Sequence, residues 1–170
     1  MSKKIYLLIF AFTPLIIGYL HNLIYRPLLL QLLRIPIINL IIWYGIPILV
    51  AYFWFWVGGK FAQSNIKILV SIILGNYMGI ICLGIYFWQF NYTSANLRNS
   101  FLASSSLFFS SNVGVFVTHL AYLFEPDKTH IGMVTLNAIQ ILGLVLMIIL
   151  FTAGYIYKKY KIKSSKIVAI

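Results

Sequence analysis

Long stretches of apolar residues separate short clusters of charge along the chain. Each stretch is long enough for a transmembrane helix, which needs about 20 predominantly apolar residues. Apolar and polar residues do not alternate within them, as the run 144–151 illustrates, so the pattern argues against a transmembrane β-barrel. Five stretches contain no Asp, Glu, Lys or Arg: residues 5–25, 35–59, 68–97, 99–124 and 129–157.

These stretches predict the fold class. Lipid offers the backbone no hydrogen-bond partner, whereas a helix pairs its own N–H and C=O groups. We therefore expect an all-α integral membrane protein, a bundle of about five transmembrane helices, with four or six as alternatives. Pro14 and Pro47 lie inside the first two spans and predict kinks there. The predicted spans are residues 5–25, 36–57, 68–90, 101–124 and 131–157.

Two segments leave the number of spans open. Residues 26–35 fit either an interfacial helix or an early part of the second span. Residues 101–124 are the least apolar of the five spans, because they carry polar residues at 104–106 and 110–112. Such a stretch either packs inside the bundle or enters the membrane and turns back as a re-entrant segment.

The composition agrees with a membrane location. Hydrophobic residues make up 62% of the chain and charged residues 9%, against about half and about a quarter in soluble domains. A soluble fold of this composition would expose large apolar patches to water. We expect residues 1–157 to form one polytopic transmembrane domain and residues 158–170 to form a basic tail.

The net charge of +11 comes from basic residues near span ends and in the tail. This placement matches the excess of Lys and Arg in cytoplasmic loops. It does not indicate nucleic-acid binding, which needs a basic face on a soluble surface. With the tail inside, five spans put eight basic residues inside and five outside, whereas a re-entrant fourth span gives nine against four. We therefore expect a cell-membrane protein with a cytoplasmic tail, whose lysines either bind anionic headgroups, at about 1 kcal/mol each, or only set the topology.

The interiors of the spans carry no Asp, Glu, Lys or Arg. Deep charges are costly and are kept where function needs them. Their absence argues against proton pumps, carboxylate-based ion exchangers and aspartyl membrane proteases. Three scattered His and one Cys make no metal-binding spacing, and no motif predicts a cofactor.

Neutral polar side chains and one His are the remaining candidates for a binding site. Some share helix faces: Asn112 lies seven residues before His119, and Asn137 lies three before Gln140. With Asn76 in the third span, these residues either line a polar site or pathway, or form hydrogen bonds between helices.

One set of residues resembles an enzyme family. Cys82, Arg98 and His119 occur in the order Cys, Arg, His, the residue types that membrane transpeptidases of the exosortase and archaeosortase type use on neighbouring helices. The match is in residue type, and the Ser-Gly pair that follows the Cys in that family is absent here. The resemblance implies a membrane-embedded cysteine transpeptidase as the alternative function.

The leading expectation is a non-enzymatic multi-pass membrane protein, either a small transporter component or a membrane subunit of a larger complex. Negligible soluble mass and neutral polar helix faces favour it. Gly75 and Gly79 form a small-xxx-small pair, which allows a close helix contact inside the chain or with another subunit, including a second copy.

Overall fold

We analysed a computed structural model, which describes residues 7, 9–20, 23, 36–64, 66–124 and 132–168. Every regular element among these residues is helical, which confirms the all-α prediction. The predicted segment 26–35, the loop at 125–130 and the outer parts of the first span lie outside the described residues. The helices are α1 (Ile9–Leu20), α2 (Pro36–Ala62), α3 (Ile68–Phe87), α4 (Ser100–Ser111), α5 (Gly114–Ala121) and α6 (Met133–Val168).

Three helical segments are long and apolar enough to cross a bilayer: Trp43–Ala62, Ile68–Tyr92 and Met133–Ser164. The second of them includes a π-helical turn, Trp88–Tyr92, that continues α3. The pair α4 and α5 adds a fourth if the two helices are counted as one span. The described part of α1 is shorter than these segments.

The fourth predicted span is broken. The sequence predicted one stretch over 101–124, but α4 and α5 meet at an angle of 93°, so a continuous straight helix there is wrong. Asn112 ends α4, and its side-chain amide donates to the carbonyl oxygens of Phe108 and Phe109. A side chain that bonds to nearby carbonyls competes with the helical backbone, and α5 begins just beyond it at Gly114.

Two hydrogen bonds fix the direction of α6 relative to α3. The Tyr86 hydroxyl, near the end of α3, donates to Asn137 Oδ1, near the start of α6, at 2.9 Å. The Tyr155 hydroxyl, late in α6, donates to the Ile66 carbonyl oxygen, just before α3, at 2.6 Å. The two helices are therefore antiparallel. We call the end of the bundle with Ile66 and Tyr155 the lysine end, and the end with Tyr86, Arg98 and Asn137 the arginine end.

This geometry determines the path of α4 and α5. The chain leaves α3 at the arginine end and starts α6 at the same end, and α4 and α5 belong to the segment between them. Its deepest described part is near Asn112. Phe109, on the last turn of α4, packs edge-on against Trp54 of α2 with 5.8 Å between ring centroids, and its ring lies against Gly79 in the middle of α3.

Glycines allow the helices to cross closely. An ideal Cβ at Gly154 of α6 would overlap the Phe55 carbonyl oxygen of α2, and one at Gly58 would overlap the Phe151 carbonyl oxygen of α6. Gly75 likewise lies against the Phe151 ring. The Gly75 and Gly79 pair therefore serves packing within the chain.

The last helix runs further than the predicted span. It continues without a break through residues 158–168, which the sequence analysis assigned to the tail. At a rise of about 1.5 Å per residue, these residues carry the helix roughly 16 Å beyond Tyr157. The lysines of the tail are therefore arranged on a helix.

Candidate functional site

Asn76 is fully buried on α3, and both ends of its side-chain amide are paired. Its Nδ2 donates to the Ile72 carbonyl oxygen one turn earlier at 3.0 Å. Its Oδ1 accepts from Trp54 Nε1 of α2 at 3.2 Å. A buried indole N–H needs an acceptor, so Asn76 joins α3 to α2.

Asn112 lies at the break between α4 and α5 and is fully buried. Its Nδ2 donates to the Pro14 carbonyl oxygen of α1 at 2.7 Å and to the Phe108 carbonyl oxygen at 2.8 Å. Its Oδ1 has no hydrogen-bond partner. A buried acceptor without a donor costs about 1–3 kcal/mol. Asn112 therefore combines a structural role with an unused acceptor at the depth where the helix is interrupted.

Asn137 and Gln140 lie on one face of α6 and bond to different elements. Asn137 Oδ1 accepts the hydroxyl hydrogen of Tyr86 from α3 at 2.9 Å. Gln140 Oε1 accepts the hydroxyl hydrogen of Ser110 from α4. These two bonds tie both neighbouring helices to α6, as interhelical hydrogen bonds commonly do in membranes.

The five predicted residues have different surroundings in the structure. His119 is exposed on α5, while Asn112 and Gln140 are buried against different neighbours. Two cavities of the described structure lie at the lysine end, and none of the five residues lines either of them. Among the described residues, no group of His, Cys, Asp or Glu is arranged to hold a metal ion.

The residues of the transpeptidase resemblance have other neighbours in this fold. Cys82 is buried in the hydrophobic core. The guanidinium of Arg98 donates to the carbonyl oxygens of Gln89 at 2.9 Å and Phe90 at 3.2 Å, which caps the end of α3. These contacts give Arg98 a structural role, and His119 points outward on α5.

The sequence analysis did not identify the cavities at the lysine end. One is a groove of about 200 Å³ between α2 and α6, with Lys60 and Lys158 on its two walls. The other is a wider notch of about 780 Å³ between the α2–α3 turn and the extension of α6. The sequence feature that could have indicated the groove is the run of aromatic residues before Gly59 and Lys60. In a sequence, such a run indicates only the end of a membrane span.

The chain matches no protein-family model, no curated protein and no solved structure.

Proposed function

We propose that the chain is a non-enzymatic multi-pass protein of the cell membrane that acts as a small transporter component, with α4 and α5 forming a re-entrant hairpin at its binding site. The proposal rests on the helix break at Asn112, where a buried oxygen lacks a donor in the middle of the bundle. An unpaired buried acceptor is costly, and broken helices line the substrate sites of many transporters.

The directions of the helices support a four-span topology. Phe10 of α1 packs edge-on against Trp56 of α2, near the lysine end, with 5.5 Å between ring centroids. Gly18, two turns later in α1, lies against the backbone of Phe108 in α4. Thus α1 and α3 run from the lysine end to the arginine end, and α2 and α6 run in the opposite direction. The hairpin enters from the arginine end and leaves by it.

The charges support a cytoplasmic lysine end. Among the described residues, Arg98 is the basic residue at the arginine end. The lysine end carries the remaining described basic residues, and cytoplasmic loops hold the excess of Lys and Arg. These are Lys60, Lys67, Lys158, Lys159, Lys161, Lys163 and Lys166. The tail of α6 then faces the cytoplasm, and the hairpin opens to the outside.

The chemistry of the break indicates the class of ligand. Non-helical backbone at membrane depth is tolerated where it is buried in protein or borders a water-filled cavity. Asn112 Oδ1 accepts hydrogen bonds, so a ligand with N–H or O–H donors would supply the missing partner. The described residues include no carboxylate that would balance a positive charge. A small neutral polar solute fits this site best.

Water access to the hairpin tests the proposal. In a Cys82→Ala background, Ser111→Cys places a thiol on the exposed side of α4 next to the break. Ile149→Cys, on an exposed apolar position of α6, is the matched lipid-facing control. A membrane-impermeant methanethiosulfonate added outside should modify Ser111→Cys and leave Ile149→Cys unmodified. Equal inertness of the two thiols would refute the transporter proposal and leave a membrane subunit of a larger complex.

A further inference from the structure

The groove between α2 and α6 at the lysine end has a graded polarity. Its floor is aromatic, with Tyr52 and Phe55 on α2. Its outer rim carries Lys60 on α2 and Lys158 on α6. Tyr52 comes two helical turns before Lys60, so the groove spans about 12 Å along the helix axis. Its polarity changes from apolar to cationic in the direction in which a bilayer changes from hydrocarbon to headgroup.

The two lysines face the groove from opposite helices. Both are half-buried, and Lys60 Nζ lies 4.8 Å from the centre of the Trp56 ring. The ring supports the aliphatic stem and holds the ammonium near the groove. Gly59 leaves space for the Lys158 side chain, because an ideal Cβ at Gly59 would lie 3.4 Å from Lys158 Cβ. Gln63 adds an amide at the rim.

Nothing in the described chain neutralises these ammonium groups. The two acidic residues of the sequence are at 125 and 127, outside the described residues. Because an opposite charge stabilises a half-buried ammonium group, two lysines that line the groove from opposing walls favour a bound anion between them. The anion would sit just outside the aromatic floor.

We propose that this groove binds one anionic glycerophospholipid, with its phosphate between Lys60 and Lys158 and an acyl chain along Tyr52 and Phe55. A soluble anion would use the rim and leave the aromatic floor uncovered, whereas a phospholipid fills both parts. This inference assumes the membrane location and the lysine end at the interface. It does not depend on transport through the hairpin.

Native mass spectrometry of the full chain released from detergent micelles tests the site. The probes are palmitoyl-oleoyl phosphatidylglycerol and the zwitterionic phosphatidylcholine with the same chains. We expect one phosphatidylglycerol to be retained, with a preference over phosphatidylcholine of about thirty-fold, since two interfacial lysines contribute about 1 kcal/mol each. The double variant Lys60→Gln with Lys158→Gln should lose that preference.

Lys161→Gln is the matched control. It removes one charge from the same helix, but Lys161 is exposed and lines neither cavity, so the lipid preference should persist. The charge-conserving pair Lys60→Arg with Lys158→Arg should also retain the lipid. An equal loss in Lys161→Gln and in either single groove variant would mean that the bound lipid reflects diffuse charge and would overturn the site.

Excess inorganic phosphate distinguishes a lipid from a soluble anion. The lipid should stay bound in its presence, because phosphate supplies no contact with the aromatic floor. Displacement of phosphatidylglycerol by phosphate would overturn the assignment to lipid. Either result leaves the accessibility of Ser111→Cys unchanged, so failure of this site and failure of the proposed function are separate outcomes.

Discussion

Replacing Gly154 by Ala should force α2 and α6 apart. An ideal Cβ at Gly154 would lie 3.0 Å from Phe55 Cα and would overlap the Phe55 carbonyl oxygen. Carbon atoms pack at about 3.5–4.0 Å. The obstacle is helical backbone and cannot rotate away as a side chain does. The added methyl therefore has to displace one helix from the other.

The size of the effect follows from this geometry. Overpacking a close-packed interior lowers the free energy of unfolding by about 1–3 kcal/mol. Because the obstacle at Gly154 is backbone, we expect Gly154→Ala to lower it by about 2 kcal/mol or more. For a chain of this length, 1 kcal/mol corresponds to a shift in melting temperature of about 2–4 °C. We therefore expect the variant to melt about 4–8 °C below the wild type.

The assay is thermal challenge in detergent, followed by size-exclusion chromatography of the protein that stays monodisperse. Gly84→Ala is the matched control, because an ideal Cβ at Gly84 meets nothing within 4 Å. It should melt at or above the wild-type temperature, since Ala is the better helix former by about 1 kcal/mol. If both alanine variants melted together, the close crossing at Gly154 would be wrong.

Three further outcomes follow from buried side chains. Trp54→Phe should lower the melting temperature by about 2–4 °C, because Asn76 Oδ1 loses a hydrogen-bond donor worth about 1 kcal/mol. The control Trp88→Phe, at a half-exposed ring, should leave the melting temperature unchanged. Similar shifts in both variants would contradict the role given to the indole N–H of Trp54. Asn112→Asp should lower the free energy of unfolding by about 3 kcal/mol or more, because a carboxylate would replace the amide donor that faces carbonyl oxygens of α1 and α4. A wild-type yield of monodisperse protein from this variant would contradict the prediction. The Cys82→Ala variant should restore the wild-type phenotype of a deletion strain as fully as the wild-type protein does. Failure to restore it would favour the transpeptidase hypothesis.

The sequence predicted the helical class and most helix positions because charge-free length is a strong signal in a membrane. The end of α2 was harder to place. The predicted second span ends at Val57, directly before Gly58 and Gly59, but α2 continues to Ala62. Gly58 lies against the backbone of Phe151, so the glycine serves helix packing and does not end the helix. A glycine that packs and a glycine that terminates look the same in a sequence.

The break at Asn112 shows what a single sequence leaves open. The serines before it marked an unusual span, and a re-entrant path was one of two alternatives. The contact that anchors the break joins Asn112 to Pro14, which lies 98 positions earlier in the chain. Local pattern carries no information on such a distant partner. The same holds for Asn76, whose acceptor role depends on Trp54 of another helix.

The hydrogen-bond partners of the candidate polar residues could not be predicted from the sequence. Asn137 and Gln140 share a face and were grouped for that reason, yet each bonds to a different helix. The sequence did not predict the groove between α2 and α6, because the residues on its two walls, Lys60 and Lys158, lie nearly 100 positions apart. Only the crossing of α2 and α6 brings them together.

The sidedness of the two ends of the hairpin decides whether residues 100–124 turn back or cross the membrane. In a Cys82→Ala background, single cysteines replace Asn96 before α4, Leu123 after α5 and Gln63 at the lysine end, all exposed positions. An impermeant maleimide on intact cells should label the first two, and label Gln63→Cys only after the membrane is permeabilised. Labelling of Leu123→Cys together with Gln63→Cys, on the side opposite Asn96→Cys, would mean that the segment crosses the membrane and that the re-entrant hairpin does not exist.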